Sequence, residues 1–548
     1  MTTDPVRRQN PALRAARTVW LAVAPMVFGV LLFTAGGVML VSTVTPDSAA
    51  RVRRLSALAP PGLVDLSHFV ASLAAVALLF LAFAVGGAFR RGYLAAQVVL
   101  IAAAVATLAK GLNIDEAAFL ATLAVLLYFS RGAFYRRAPL RTAPLSFGAL
   151  AGIGLALAAA GWLGLFAYDH VAYRNELWWT FLTDGGAPRF LRGAVGAAVF
   201  AVAVIAWRFS RAPTPTAATP ADLQAVTRIL AAAENATPDA NLAYLGDKAF
   251  VFSDSGESFI QYAAHGGAWV AMSEPVGPLR ERTQMIWAFR DQCDRAGASP
   301  VFYAVRRDSL ADFIDCGLTA SKIGENAVVD LSPFSLEGSD RSGLRQALSR
   351  GQRDGLTFDV IDPEGFSQIV GDLRVISDAW LAIHHGREKS FSLGRFDPEY
   401  LARFPTAVIR REGRIVAFAN LWRTADKRTV SVDLMRYGAD APKGVMELLF
   451  VHLMLWAKAD GFARFDMGMA PLAGLDDHRL ARVVTRVGAL VYAHGGGVYG
   501  FDGLRAFKNK FRPRWEPSYI AAPHSWSLAP GLSDAALLSS GGLRGLLR

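Results

Sequence analysis

Long apolar stretches dominate the first 211 residues, and short alternating ones dominate the rest of the chain. Residues 1–17 are polar and basic, with Arg7, Arg8, Arg14 and Arg17. Apolar runs then cover 19–44, 68–89, 93–112, 117–129, 145–168 and 190–209. Most approach the roughly 20 residues that carry a helix across a bilayer. The run at 117–129 is short enough to be re-entrant. The first run is too long for a signal-peptide core and has no clear cleavage site. The pattern predicts about six transmembrane helices over residues 1–211.

Loop arginines orient the spans. With the N-terminus inside, the inner loops hold Arg90 and Arg91, then Arg131, Arg136, Arg137 and Arg141, then Arg208 and Arg211. That satisfies the positive-inside rule, and Arg51, Arg53 and Arg54 oppose it. The loop YDHVAYRNELWW carries Trp178 and Trp179, which suit an interfacial belt. Lys110, Asp115 and Glu116 lie near membrane depth, at a functional site or at an interfacial turn.

APTPTAATP, residues 212–220, reads as a proline-rich linker. Beyond it the pattern is that of an α/β domain. KAFVFSD and GAWVAMS read as strands, SEPVGP as a turn, 281–296 as a helix, PVFYAV as a strand and 308–316 as a helix ended by Gly317. Later, TVSVDLMRY reads as a strand and VMELLFVHLMLWAKAD as a buried helix closed by Gly461. FARFDMGM comes next as a second strand, completing a βαβ unit. The similar order of elements predicts two related folds, at 221–334 and 335–523, with 524–548 as a peripheral tail.

Composition adds two points. Hydrophobic residues make up 53% of 548 and the mean hydropathy is +0.29, which favours partial membrane residence. The net charge of +11 calls for anionic partners, nucleic acid or anionic lipid. Cys293 and Cys316 form no framework and read as small buried residues. No zinc motif, P-loop or Gly-x-Ser-x-Gly elbow is present.

The chemistry gathers between residues 429 and 517. Asp433 alternates with Val430, Val432 and Leu434 and so leaves their face of the strand. Arg436, three residues on, meets it at one site only through a bulge or at the strand end. Gly444 opens the buried helix and leaves backbone N–H groups for an anion. In FDGLRAFKNKFRPRWEP, Leu504, Phe507 and Phe511 share one helical face, and Arg505, Lys508 and Arg512 form a basic stripe on another. The alternative is a surface ion pair and a solvated basic helix.

The segments LRQALSRGQRDGLTF, GREKSFSLGRFDPEYL, SVDLMRY, PKGVMELLF, DMGMAPL and FKNKFRPRWEPSYIA, in that order, resemble the catalytic domain of the MprF family over about 220–523. These are aminoacyl-phosphatidylglycerol synthases. The resemblance implies two tandem GNAT-like (acetyltransferase-like) folds behind an α-helical membrane domain. It implies transfer of an aminoacyl group, lysyl first and alanyl second, from aminoacyl-tRNA to the glycerol headgroup of phosphatidylglycerol. The membrane becomes less anionic and resists cationic peptides. No ATP site or cofactor is needed, because the donor ester is already activated. By resemblance Asp433, Arg436, Lys508 and Glu516 fall at catalytic positions. Arg387, Lys389, Gly444, Glu447, Asn509 and Arg512 are substrate-binding candidates, and Arg350, Arg353 and Arg505 are tRNA-facing ones. His384 and His385 offer either a base or a helix surface. The implied setting is the bacterial inner membrane, with the catalytic domain cytoplasmic. A homo-oligomer and a separate flippase are further partners it allows, since this reads as a short form without the flippase region of longer members. Other readings are a peptidoglycan-type aminoacyl transferase and a membrane transporter or sensor with a cytosolic ligand-binding domain.

Overall fold

The computed structural model describes residues 11–44, 61–138, 140, 147–167, 189–209, 217–233, 236–384, 386–476, 478, 480 and 501–542. The tryptophan loop at 168–179, Arg51, Arg53, Arg54, Arg141, Arg211, most of the linker and His385 lie outside the described residues. The chain divides into a helical unit, Met1–Ala212 with Asp294–Gly297, and an α/β unit made of Pro213–Cys293 and Ala298–Arg548.

The helical unit contains α1 (Pro11–Val44), α2 (Pro61–Gly86), α3 (Arg90–Gly111), α4 (Ile114–Phe129), α5 (Phe147–Ala167) and α6 (Arg189–Phe209). Three stretches, Arg17–Thr43, Leu66–Gly86 and Arg90–Ala109, are long and apolar enough to cross a membrane. Gly148–Leu163 and Gly193–Trp207 are apolar but shorter. Small residues let α1 and α2 approach closely, as helices in lipid require. A Cβ on Gly36 would lie 2.8 Å from the Ala75 carbonyl oxygen, and one on Gly29 would lie 3.0 Å from that of Ala82. Large apolar side chains such as Val30, Val98, Val105 and Phe129 remain exposed on the outside, where a bilayer would cover them. α4 starts with Asp115 and Glu116, and Ser42 donates a hydrogen bond to Glu116 at 2.9 Å.

In the α/β unit, α7 (Pro220–Ala232) starts at a capping box between Thr219 and Asp222. Then come β1 (Ala249–Phe252), β2 (Phe259–His265), β3 (Ala268–Met272), α8 (Arg282–Ala296), β4 (Ser299–Arg306), α9 (Leu310–Asp315) and β5 (Thr319–Asp330). The second half continues as α10 (Ser342–Arg353), β6 (Leu356–Ile361), α11 (Phe366–Ile383), α12 (Pro398–Leu401), β7 (Thr406–Arg411), β8 (Arg414–Arg423) and β9 (Thr429–Tyr437). α13 (Val445–Ala459), β10 (Arg464–Pro471), α14 (Phe501–Asn509), β11 (Arg514–Ala522) and α15 (Ser525–Ser540) complete it.

All eleven strands join one sheet in the order β1-β2-β3-β4-β11-β5-β10-β9-β8-β7-β6. Each half has an antiparallel run ending in a parallel pair bridged by a helix: β3 with β4, and β9 with β10. The halves then exchange their last strands. β5 leaves its own half to pair with β10, and β11 leaves its half to pair with β4. β5 and β11 pair with each other at the centre. The two related halves are therefore one continuous sheet. Apolar cores cover both faces: α13 packs Leu449, Leu453 and Met454 on one, and α11 packs Phe366, Leu373 and Ile376 on the other.

The segment after Pro523 is not peripheral. α15 buries Leu528 and Ala535 completely in the core that holds α11. Its end fixes the loop before α12, where Ser390 donates to the Leu538 carbonyl at 2.9 Å. Leu528, Leu532 and Ala535 fall on one helical face, and their burial outweighs the glycine and serine content of the segment.

Leu528→Ala should therefore lower the stability of the protein by about 2–4 kcal/mol, through lost burial and the cavity left behind. Denaturant unfolding in detergent micelles measures it; an unchanged midpoint would restore the peripheral tail.

Candidate functional site

The parallel strands β9 and β10 pair only from Thr429 to Ser431 against Arg464 to Asp466. Past that point they part. Each strand breaks its regular pattern there.

On β9 the irregularity is a bulge. Met435 pairs with Ala419 and Val432 with Leu421, so Asp433 and Leu434 together oppose Asn420. The Leu434 N–H is satisfied by the Asn420 side-chain oxygen at 2.7 Å. The extra residue reverses the alternation of faces. Val432 stays in the α13 core while Leu434 enters the α11 core. Asp433 and Arg436 consequently share the α11 face, by the device their spacing required.

The Asp433 carboxylate accepts from the Gly394 N–H at 2.7 Å and from the Tyr400 hydroxyl at 2.9 Å. Trp422 Nε1–H in turn donates to the Tyr400 oxygen at 2.9 Å. Lys248, whose side chain is wholly buried, comes from the first half of the sheet and adds a cation nearby. It is held by Asp247 at 2.6 Å and the Leu242 carbonyl at 3.1 Å. Burial pushes the Asp433 carboxyl up to about 6, against the opposing pull of Gly394, Tyr400 and Lys248. A Cβ on Gly394 would lie 1.7 Å from the carboxylate, so only glycine fits there.

Arg436 is 3% exposed. Its guanidinium holds Glu388 in two parallel hydrogen bonds of 2.9 and 2.7 Å, contacts Ser377, and lies over the Trp380 ring. The Arg436 guanidinium is therefore already paired with the Glu388 carboxylate. Arg387 and Lys389 flank it on the same loop, both exposed.

On β10 the pairing with β5 shifts between Asp466 and Met469. The Asp466 carboxylate accepts from the Gly468 N–H at 2.7 Å, and Gly468 has φ +80°. Lys508 Nζ donates to the Gly468 and Met469 carbonyls at 2.8 and 3.1 Å. The expected basic stripe is thus broken up. Lys508 is 5% exposed and not on a solvated surface. α14 stops at Asn509, and Arg512 turns away with φ +53° to pair with Asp340 at 2.6 Å. Arg505 pairs with Glu325 at 3.1 Å and stacks over Trp515. Burial lowers Lys508 to about 8, with Asp466 pulling the other way. Burial raises Asp466 to about 6. Glu516, paired with Arg514 at 2.6 Å, is one of the carboxylates that push Asp466 up further.

The remaining candidates stand apart. Gly444 (φ +86°), Glu447 and Arg350 line a groove of about 360 Å³ with Lys443 and Lys510. Arg350 and Arg353 line another of about 360 Å³ on α10. Glu447 is held by Lys510 at 3.0 Å. The Asn509 side chain accepts from Trp515 Nε1–H at 3.1 Å, a structural contact. His384 stacks on Trp380 and bonds its carbonyl at 2.8 Å. Among the described residues no group of three His, Cys, Asp or Glu is placed to hold a metal ion.

The corresponding point of the first half is filled by an ion pair. Where β3 and β4 part, Glu274 is buried and takes the Arg306 guanidinium at 2.9 Å and the Ser309 hydroxyl at 2.5 Å. Burial works to raise its carboxyl, yet Arg306 and Ser309 hold it below the usual value.

Sequence reasoning missed Asp466, Tyr400, Gly394, Glu388 and Lys248. All but Lys248 lie inside the segments that carry the family resemblance, and only the Asp-x-Gly spacing of Asp466 and Gly468 gave a signal, that of a tight turn.

A family profile described as phosphatidylglycerol lysyltransferase, C-terminal, matches residues 227–522. The chain is 30% identical over 527 residues to the phosphatidylglycerol lysyltransferase of Bacillus subtilis (strain 168), covering 96% of this chain and 60% of that one. It is 31% identical over 294 residues to that of Staphylococcus aureus, covering 54% of this chain and 35% of that one. The chain therefore spans less than two thirds of the length of these relatives. Among solved structures, the C-terminal domain of a candidate lysylphosphatidylglycerol synthetase from Agrobacterium fabrum is 43% identical with a TM-score of 0.54. It covers 59% of this chain and 99% of that one. L-PGS from Bacillus licheniformis is 36% identical with a TM-score of 0.51, covering 58% of this chain and 96% of that one.

The raised Asp433 carboxyl has a consequence for stability. Its folded value, about 6, lies above the usual 3.8, so the fold favours the protonated form. The wild type should lose stability relative to Asp433→Asn as pH rises from about 4 to about 6, with the difference flat above that. Unfolding midpoints across pH measure it; a pH-independent difference would contradict the burial argument.

Proposed function

The chain belongs to the phosphatidylglycerol lysyltransferase C-terminal family, and from that premise we propose that it moves an aminoacyl group from aminoacyl-tRNA to phosphatidylglycerol. Lysyl is the favoured group and alanyl the second. What supports the reading is that β9 and β10 stop pairing after Ser431 and Asp466, with Asp433 and Arg436 beyond that point on β9 and Lys508 bonded to the β10 bulge that Asp466 shapes. This is the arrangement an ester transfer needs: a proton acceptor, a donor for an oxyanion and cations for phosphates.

In the proposed step a headgroup hydroxyl attacks the ester carbonyl of the donor. The bond to the tRNA ribose oxygen breaks, a new ester to glycerol forms, and the hydroxyl proton ends on the ribose oxygen. Asp433, with its carboxyl near 6, is half-ionised near pH 6 and mostly ionised at neutrality, and serves as proton acceptor or as partner for the donor's ammonium. Lys508 donates an N–H to the developing oxyanion. Arg436 takes a substrate phosphate in exchange for Glu388, helped by Arg387 and Lys389. Glu516 acts through Asp466. The groove of Arg350, Arg353 and Gly444 follows the tRNA backbone, and Arg505, Glu447, Asn509 and Arg512 support these surfaces through the pairs described.

The two halves of the sheet, 221–334 and 335–523, are read as GNAT-like folds, the second carrying the site. The helical unit is read as six spans of the inner membrane with the α/β unit cytoplasmic. It would raise the local lipid concentration at the site. A homo-oligomer, a separate flippase and resistance to cationic peptides complete the proposal.

Expression of the chain should place a new aminolipid in the host's lipid extract, seen by mass spectrometry. Membranes should need charged tRNA for its synthesis and lose it to ribonuclease. Synthesis from free amino acid and ATP with all RNA removed would sink the ester-transfer reading. Asp433→Asn should lower turnover by about 100-fold or more, as removal of a positioned proton acceptor does. Wild-type turnover in that variant would return Asp433 to a structural role.

A further inference from the structure

Lys508 has three N–H donors, and two of them go to the Gly468 and Met469 carbonyls. Both carbonyls belong to the bulge of β10. That bulge is shaped by Asp466, whose carboxylate accepts the Gly468 N–H at 2.7 Å and so holds Gly468 at φ +80°. A lysine that only tied down two carbonyls would need no carboxylate behind them. Yet Asp466 stands half-buried on the same bulge, at a desolvation cost that an uncharged residue would avoid.

We propose that Asp466 is a positioning residue: it sets the direction of the Lys508 ammonium through the bulge and keeps that amine charged where β9 and β10 part. This rests on the reading of Lys508 as the cation that faces the reacting ester. It assigns Asp466 a task beyond the residues already placed at the site.

The surrounding charges define what Asp466 does. Burial lowers Lys508 to about 8, and Asp466 is the partner that raises it again. Asp239, from the 3-10 helix before β1, and Glu516, on β11, act on Asp466 itself and raise it. Asn326, on β5, faces the other Asp466 oxygen at 3.5 Å and is neutral. On α14 the neighbouring cation, Arg505, is already taken by Glu325, which Lys322 also holds at 2.6 Å. Removing the Asp466 charge leaves the buried amine with less to hold its proton. The charged form should then be lost at lower pH.

Asp466→Asn tests this in the full chain, because the asparagine oxygen can still accept the Gly468 N–H. Competitive labelling of Lys508 with acetic anhydride, read by mass spectrometry across pH, reports the amine directly. The midpoint should fall by at least half a pH unit. The alkaline limb of the pH profile for aminolipid synthesis should move the same way. With Lys508→Arg, whose guanidinium stays charged, Asp466→Asn should leave that limb unmoved. An unchanged labelling midpoint overturns the proposal. So does a uniform loss of activity with the limb in place, the mark of a purely structural role. If the wild type makes no aminolipid at all, the proposed function fails, and the labelling midpoint alone still decides whether Asp466 governs Lys508.

Discussion

Where two paired strands part, their backbone N–H and C=O groups lose their partners. Buried groups of this kind must be satisfied in some other way. The polar residues of the site stand where this constraint acts. Leu434 N–H, freed by the bulge of β9, is taken by Asn420, and Gly468 N–H by Asp466, while Asp433 takes the N–H of Gly394 in the loop before α12. The freed carbonyls of Gly468 and Met469 are taken by Lys508. Two half-buried carboxylates and a buried amine thereby have a structural reason to be there. Desolvation then moves all three toward neutrality, the range in which proton transfer is useful. Structure and chemistry share the same residues at this point in the sheet.

The two halves differ at the point where their parallel pairs part. Both present a parallel pair that parts, but in the first the gap is filled by Glu274, Arg306 and Ser309. The first half is not idle. It supplies β5, against which the β10 bulge forms, and Lys248, which stands near Asp433. α15 secures the loop that carries Arg387, Glu388 and Gly394. The site is therefore assembled from segments far apart in the chain, and the sheet has no natural cut between its halves.

Local pattern made much of this legible. The run from Thr429 to Pro471 was readable as strand, helix and strand, because alternation, an apolar helix and a glycine stop are short-range signals. A bulge or a strand end near Asp433 was readable, because two polar residues three apart share a face in no regular strand. Lys508 was misplaced because the period of α14 shows which residues lie together, not which face meets the sheet. Tyr400 and Lys248 carried no local signal of a role, since their task depends on pairings made far along the chain or across the exchanged strands. The length and hydropathy of the first three helices were plain, whereas the runs at 145–168 and 190–209, read as spans, hold shorter apolar helices, Gly148–Leu163 and Gly193–Trp207, among the described residues.

The central claim is that the two lips of the parting serve one reacting group. A double-mutant cycle between Asp433→Asn and Lys508→Met, measured as kcat/KM for aminolipid synthesis, tests it most directly. Residues acting together on one transition state lose their effects non-additively, so the double variant should be little worse than the poorer single one. Losses that multiply in full would place Asp433 and Lys508 at independent sites and contradict the account.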